Sequence, residues 1–194
     1  MLRIVARIRG TLCRLRAALM RGDVQIGPGL ELYGRLDIRG PGVVRIGANC
    51  VVGGIPGDRA RYVSLLTHFP ESRLVIGNHA RLFAARINSK YSVTLGSHAL
   101  IEDAGIMDSD YHSLGDHSRV PENESLDRCR ILIGDRVSIG AQSVVLKGVR
   151  IGDDVIVAPG SIVSRSLADG SFALGNPARP IAHTDATPTP PPTE

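Results

Sequence analysis

A chain of 194 residues, 43% hydrophobic but with no Trp and only 4% aromatic residues, is long enough to bury a core, and that core must be aliphatic. The formal net charge of +4 misleads: residues 1–22 hold six Arg and no acid, so the rest of the chain stands at −2, which excludes a nucleic-acid-binding body. Cys13, Cys50 and Cys129 are too few and too scattered for a disulfide or zinc framework and fit free thiols in a reducing cytoplasm, and no stretch is apolar and long enough to cross a bilayer.

Residues 1–22 form the first unit. Leu2, Val5, Ile8, Leu12, Leu15 and Leu19 recur at near-helical spacing between Arg3, Arg7, Arg9, Arg14, Arg16 and Arg21. This pattern predicts an amphipathic helix over residues 2–20, ending near Gly22. Arg interrupts the apolar run, so the segment is not a signal peptide. Two uses of the helix are open. It packs on the body and caps it, or it lies on an anionic membrane surface as a peripheral contact.

The second unit, residues 23–183, is a repeat. It starts loosely at Ile26-Gly27, Leu32, Ile38, Ile46-Gly47 and Val52. Residues 53–73 break it and read as a loop or irregular coil. It resumes at Ile76-Gly77 and Leu82, slips, and returns at Leu95-Gly96, Ile101 and Met107. Residues 108–130 are rich in Asp, Ser, Arg and Glu and hold His112 and His117, which predicts a protruding loop of the kind that carries function.

From Ile133 the pattern is strict. Six blocks of six begin at Ile133, Ile139, Val145, Ile151, Val157 and Val163. The next slot is Gly134, Gly140, Gly152, Ala158 or Ser164, broken only by Leu146. A helical period would lose register within two blocks, whereas a strand period of two fits a block of six. Short strands joined by bends make coils, and a coil buries its aliphatic residues only by stacking on others. The predicted fold is an all-β parallel β-helix. Residues 184–194, with four Pro, read as a disordered tail.

These hexapeptides, together with the ending Ala173-Leu174-Gly175-Asn176-Pro177-Ala178-Arg179-Pro180-Ile181, carry a resemblance. The chain resembles the hexapeptide-repeat acyltransferases, and within them the maltose, galactoside and polysaccharide O-acetyltransferases. The resemblance implies a left-handed β-helix of three hexapeptides per coil, assembled as a homotrimer. It implies acetyl-CoA as co-substrate, no metal, and a sugar hydroxyl of a polysaccharide or its precursor as acceptor. It places the catalytic base at His112, in Met107-Asp108-Ser109-Asp110-Tyr111-His112. A neutral imidazole takes the hydroxyl proton as the oxygen attacks the thioester and then returns it to the departing thiolate. Asp108 or Asp110 would orient the ring. A backbone N–H near Gly140 and Ala141 would meet the oxyanion. Gly140, Ala141, Ala158 and Gly160 would line the pantetheine groove between subunits, with Lys147, Arg165 and Arg179 on the phosphates. The family's acceptor-contacting Asn has no counterpart in Leu82–Arg86, and Asn88 comes late.

Three rival readings stand beside this one. The γ-type carbonic anhydrases share the fold and bind zinc through three His, and His79, His98, His112 and His117 are the candidates here. A sugar N-acetyltransferase differs only in its acceptor. A non-catalytic β-helix scaffold would keep the coil and lose the chemistry.

Overall fold

In the computed structural model, residues 1–17, 19, 23–55, 57–110 and 125–181 are described. Helix α1 (Leu2–Ala17) leads into six coils of three short strands each. The first coil is β1 (Asp23–Ile26), β2 (Glu31–Leu32) and β3 (Leu36–Arg39), and the second β4 (Val43–Ile46), β5 (Val51–Gly53) and β6 (Val63–Thr67). The third is β7 (Arg73–Ile76), β8 (Arg81–Phe83) and β9 (Arg86–Ser89), and the fourth β10 (Ser92–Leu95), β11 (Leu100–Glu102) and β12 (Gly105–Met107). After a short helix α2 (Leu126–Cys129) come β13 (Ile131–Ile133), β14 (Ser138–Ile139) and β15 (Val144–Val145), then β16 (Arg150–Ile151), β17 (Ile156–Val157) and β18 (Ile162–Val163). A closing hairpin, β19 (Phe172–Gly175) and β20 (Ala178–Ile181), ends the coil.

The strands stack into three faces. Face A is β1-β4-β7-β10-β13-β16, face B is β2-β5-β8-β11-β14-β17 continued by the hairpin, and face C is β3-β6-β9-β12-β15-β18. Among the described strands every pairing except the hairpin is parallel. The architecture is a left-handed parallel β-helix. The first slot of each hexapeptide faces inward, and the register makes it a ladder. Ile26, Ile46, Ile76, Leu95, Ile133 and Ile151 align on face A. Ile101, Ile139 and Val157 align on face B, and Ile87, Ile106, Val145 and Val163 on face C. Nearly all are fully buried, each worth about 1.5–3 kcal/mol of transfer free energy.

The corners explain the second slot. In Leu95-Gly96-Ser97-His98-Ala99 the left-handed residue that turns the chain is His98 (φ 60°), not the glycine. Gly96 is required for another reason: a Cβ built there would lie 2.5 Å from the backbone carbon of Gly134 on the next coil. At this A-to-B corner the N–H after several of these Gly residues is capped by an Asx side chain of the coil above. Asn78 serves Ala48 (2.8 Å), Asp135 serves Ser97 (2.6 Å) and Asp153 serves Asp135 (2.8 Å).

Residues 53–73 are not a plain loop. They contain β6, which pairs with β3 and β9, and the extra residues fall in the two flanking corners. The expected loop at 108–130 begins at Asp108 and closes with α2. Residues 111–124, and with them His112 and His117, lie outside the described residues, as does the tail at 184–194.

The N-terminal helix ends at Ala17, a turn short of the predicted boundary, and covers the open end of the first coil against β1 and β2. It does so with the face opposite to the one expected. Ala6, Gly10 and Ala17 are buried and Cys13 is half-buried, while Leu2, Val5, Ile8, Leu12, Leu15 and Leu19 are all exposed. The helix sits so close that a Cβ at Gly10 would lie 1.9 Å from the carbonyl oxygen of Leu30. Buried Glu31 clamps it: Arg3 Nε (2.8 Å) and Arg7 Nε (3.1 Å) both donate to Oε1, and Tyr33 donates to Oε2 (3.0 Å). The Arg3 guanidinium, helped by Tyr33 and Arg7, holds the Glu31 carboxyl below the usual range against the opposing effect of burial.

A depressed carboxyl pKa stabilises the folded state above the unfolded value of about 4.3, and that contribution disappears as pH falls through the lower folded value. Acidification below about pH 4 is therefore expected to loosen α1 before the coil. Hydrogen exchange of α1 amides, corrected for the intrinsic rate, should accelerate there. Glu31→Gln should exchange fast at neutral pH and respond little to acid.

Candidate active site

The chain leaves β12 at Asp108, on the C-to-A edge of the prism. Asp108 is fully buried and both of its oxygens are engaged. Lys90 N donates to Oδ1 (2.6 Å), while Tyr91 N (2.9 Å) and Ser89 Oγ (3.1 Å) donate to Oδ2. This carboxylate staples the mouth of the 111–124 insertion to the preceding coil. His68 lies one coil further back on the same edge. Burial lowers its imidazole pKa, with the Asp108 carboxylate opposing and Lys90 adding to the fall.

Asp110 points outward and accepts from Lys147 Nζ at 2.5 Å. Lys147 follows β15, one coil on, and Arg165 follows β18 on the coil after that, because Val145 and Val163 are in register. The edge is thus a column of Asp108, Asp110, Lys147 and Arg165, with His112 two residues beyond Asp110 in sequence. Arg165 is exposed and makes no ion pair among the described residues. Arg179 stands apart on the closing hairpin, opposite Leu174, with Nη1 on the neighbouring Ala178 carbonyl (3.2 Å).

The small residues expected to line the pantetheine groove sit on a different edge, B-to-C. Gly140 N is committed to Val157 O and Ala158 N to Ala173 O, both at 2.9 Å, so neither is a spare donor. Gly160 N is bonded to Ala141 O at 2.8 Å. The Ala141 N–H has no acceptor among the described residues. It occupies the position that Asx side chains cap on the A-to-B edge, but the next coil offers Pro159 there, which carries no acceptor. One chain therefore unites Asp110 with Lys147 and Arg165, and separately unites Gly140, Ala141 and Ala158. Face C, with β15 between its two turns, keeps the two groups apart.

A further cluster was not visible in the sequence. Asp103, in a left-handed turn (φ 42°) beside Ala141–Gln142, has only 5% of its side chain exposed. Arg61 Nη1 (2.8 Å) and Gln142 Nε2 both donate to its Oδ2, and Oδ1 has no partner among the described residues. Its partner Arg61 also lines a groove of about 880 Å³ with Tyr33, Arg35, Ile55, Tyr62 and Phe83. The partners are 42 and 39 positions apart, so no local pattern announces them. Asn88 lies on face C beside Met107 of the next coil.

The upstream histidines of the zinc reading, His79 and His98, stack on each other at 4.7 Å between ring centroids. They do so on the A-to-B corner, away from the edge that leads to His112. Among the described residues no three His, Cys, Asp or Glu side chains converge as a ligand set.

Comparison with known proteins agrees with the coil. The model for the bacterial transferase hexapeptide (six repeats) matches residues 130–165. The chain is 32% identical over 99 residues to galactoside O-acetyltransferase of Escherichia coli K12, covering 51% of this chain and 48% of that protein. It is 45% identical over 51 residues to the 2,3,4,5-tetrahydropyridine-2,6-dicarboxylate N-acetyltransferase of Staphylococcus aureus, covering 26% of this chain and 21% of that one. The chain thus spans at most about half the length of these curated relatives. Among solved structures, a hexapeptide-repeat acetyltransferase of Vibrio cholerae in complex with acetyl-coenzyme A superposes with a TM-score of 0.54 at 27% identity, over 71% of this chain and 69% of that one.

Proposed function

From the premise that this is a hexapeptide-repeat protein of the bacterial transferase kind, folded as a left-handed β-helix, we propose that it is an acetyl-CoA-dependent O-acetyltransferase acting on a sugar hydroxyl of a polysaccharide or its precursor. The observation that carries the reading is the C-to-A edge, where Asp110 pairs with Lys147 beneath exposed Arg165, at the mouth of the insertion that contains His112. The likeness to an acetyltransferase solved with acetyl-coenzyme A supports the donor. The likeness to a galactoside O-acetyltransferase supports a sugar hydroxyl.

His112 acts as general base and takes the hydroxyl proton while the acceptor oxygen attacks the thioester carbonyl. Of the two acids, Asp110 is the orienting partner and Asp108 holds the corner from which it projects. The tetrahedral oxyanion faces the Ala141 N–H. Collapse breaks the carbon–sulfur bond, and the thiolate leaves with the proton from the imidazolium. Lys147 and Arg165 supply cations for the coenzyme phosphates, with Arg179 the outlying third. The C-to-A and B-to-C edges belong to opposite sides of face C, so the full set closes in a groove between two copies. A homotrimer supplies three such grooves.

The test follows free thiol release from acetyl-CoA with a panel of sugars and amino sugars. The expected result is release dependent on a sugar hydroxyl. Release only with amino sugars would replace the reading by the sugar N-acetyltransferase; transfer to nitrogen also occurs among the relatives, on a different acceptor. No release, with no rise in melting temperature on adding acetyl-CoA, would leave a scaffold.

A further inference from the structure

The outer face of α1 has no partner among the described residues. At about 100° per residue, Ile4, Val5, Ile8, Leu12 and Leu15 fall within an arc of roughly 100° on the side opposite Ala6, Gly10, Cys13 and Ala17. Their exposures run from 48% for Val5 to 67% for Leu15. Soluble surfaces seldom present such a row of large aliphatic side chains together. Leu19, just past the helix, is 87% exposed and continues it.

The charges bordering this face all have one sign. Arg3, Arg7 and Arg14 flank one side of the stripe, and Arg9 and Arg16 flank the other. The helix contains no acid. Arg3 and Arg7 share the Glu31 carboxylate, while Arg9, Arg14 and Arg16 make no ion pair among the described residues. An apolar stripe between two cationic borders fits an interface of acyl chains and anionic headgroups, where the guanidinium groups stay at headgroup level as the aliphatic side chains dip below it. A second copy of the same face fits badly, because it would set Arg against Arg across the seam.

We propose that α1 is a membrane-surface anchor: it binds the coil through its small-residue face and an anionic lipid bilayer through its aliphatic face. Because α1 closes the end of the prism, the bilayer would lie across the coil axis. The C-to-A edge would then rise from the membrane, and the insertion after the fourth coil would stand several coil heights above it, at about 4.8 Å per coil. No helix of the described residues is long and apolar enough to cross a membrane, so the contact is peripheral.

The experiment is flotation of the full chain with vesicles of phosphatidylglycerol and phosphatidylcholine, against vesicles of phosphatidylcholine alone. Wild type should float with the anionic vesicles and be released by high salt. Ile8→Glu/Leu12→Glu should lose binding by about tenfold or more, and Arg9→Ser/Arg14→Ser/Arg16→Ser should lose its preference for anionic lipid. Both sets of side chains point away from the body, so melting temperature should match wild type. The proposal fails if wild type stays unbound at low salt, or if Ile8→Glu/Leu12→Glu binds as well as wild type. It also fails if that variant instead dissociates a larger assembly, since the face would then pair copies of the chain.

Discussion

Replacing His112 by Ala should lower acetyl transfer by about 10²–10⁴-fold, the usual worth of a positioned general base. A sugar hydroxyl scarcely ionises at neutral pH, so without a base its attack on the thioester must generate an oxonium. With His112 as the proposed base, the active form is the neutral imidazole. The rate should therefore rise with pH as the imidazole loses its proton and level off once it is neutral. In His112→Ala that inflection should vanish along with the rate. Thiol release measured across the pH range, at saturating acetyl-CoA, checks both. A variant with near-normal turnover would remove the imidazole from the mechanism.

Asp108→Ala should show the opposite profile, with its damage in stability. The substitution removes the fully buried carboxylate that accepts from the N–H groups of Lys90 and Tyr91 and from Ser89 Oγ. Unsatisfied donors of this kind cost about 1–3 kcal/mol each, less whatever water recovers, so a loss of about 2–4 kcal/mol is expected. Asp108→Asn keeps the shape but turns one acceptor into a donor facing a donor, and should lose about half as much. Urea titration at neutral pH measures both. If Asp108→Ala were as stable as wild type and merely inactive, Asp108 would be the residue that touches the imidazole, and Asp110 would not. Four positions in sequence thus separate a residue expected to govern rate from one expected to govern folding.

The regular half of the coil was readable because each hexapeptide meets the same surroundings. Ile139 and Val157 occupy one ladder, and Gly134 must be small because its Cβ would strike the backbone of the next coil at 2.8 Å. The first coils were harder to read because their corners vary in length. Around β6 the extra residues hide a strand whose inward Leu65 lies squarely in the ladder with Ile38 and Ile87. Within the candidate site the sequence pointed to Asp110, Lys147 and Arg165 one by one, without saying that a single edge stacks them. Asp103 was out of reach, since Arg61 and Gln142 come to it from different coils.

Local periodicity by itself determined the parallel β-helix, the inward ladders and the place where the array opens, because an aliphatic residue every six positions can be buried in only one way by stacked coils. Tertiary structure alone decided which face of α1 docks. Leu30 brings its backbone oxygen so close to Gly10 that only small side chains fit between, and the larger ones are turned outward. It also decided that Asp108 is spent on the corner and that the nominated coenzyme residues occupy two edges. Edge membership depends on how many residues each corner absorbs, and that count exists only once the coil has closed.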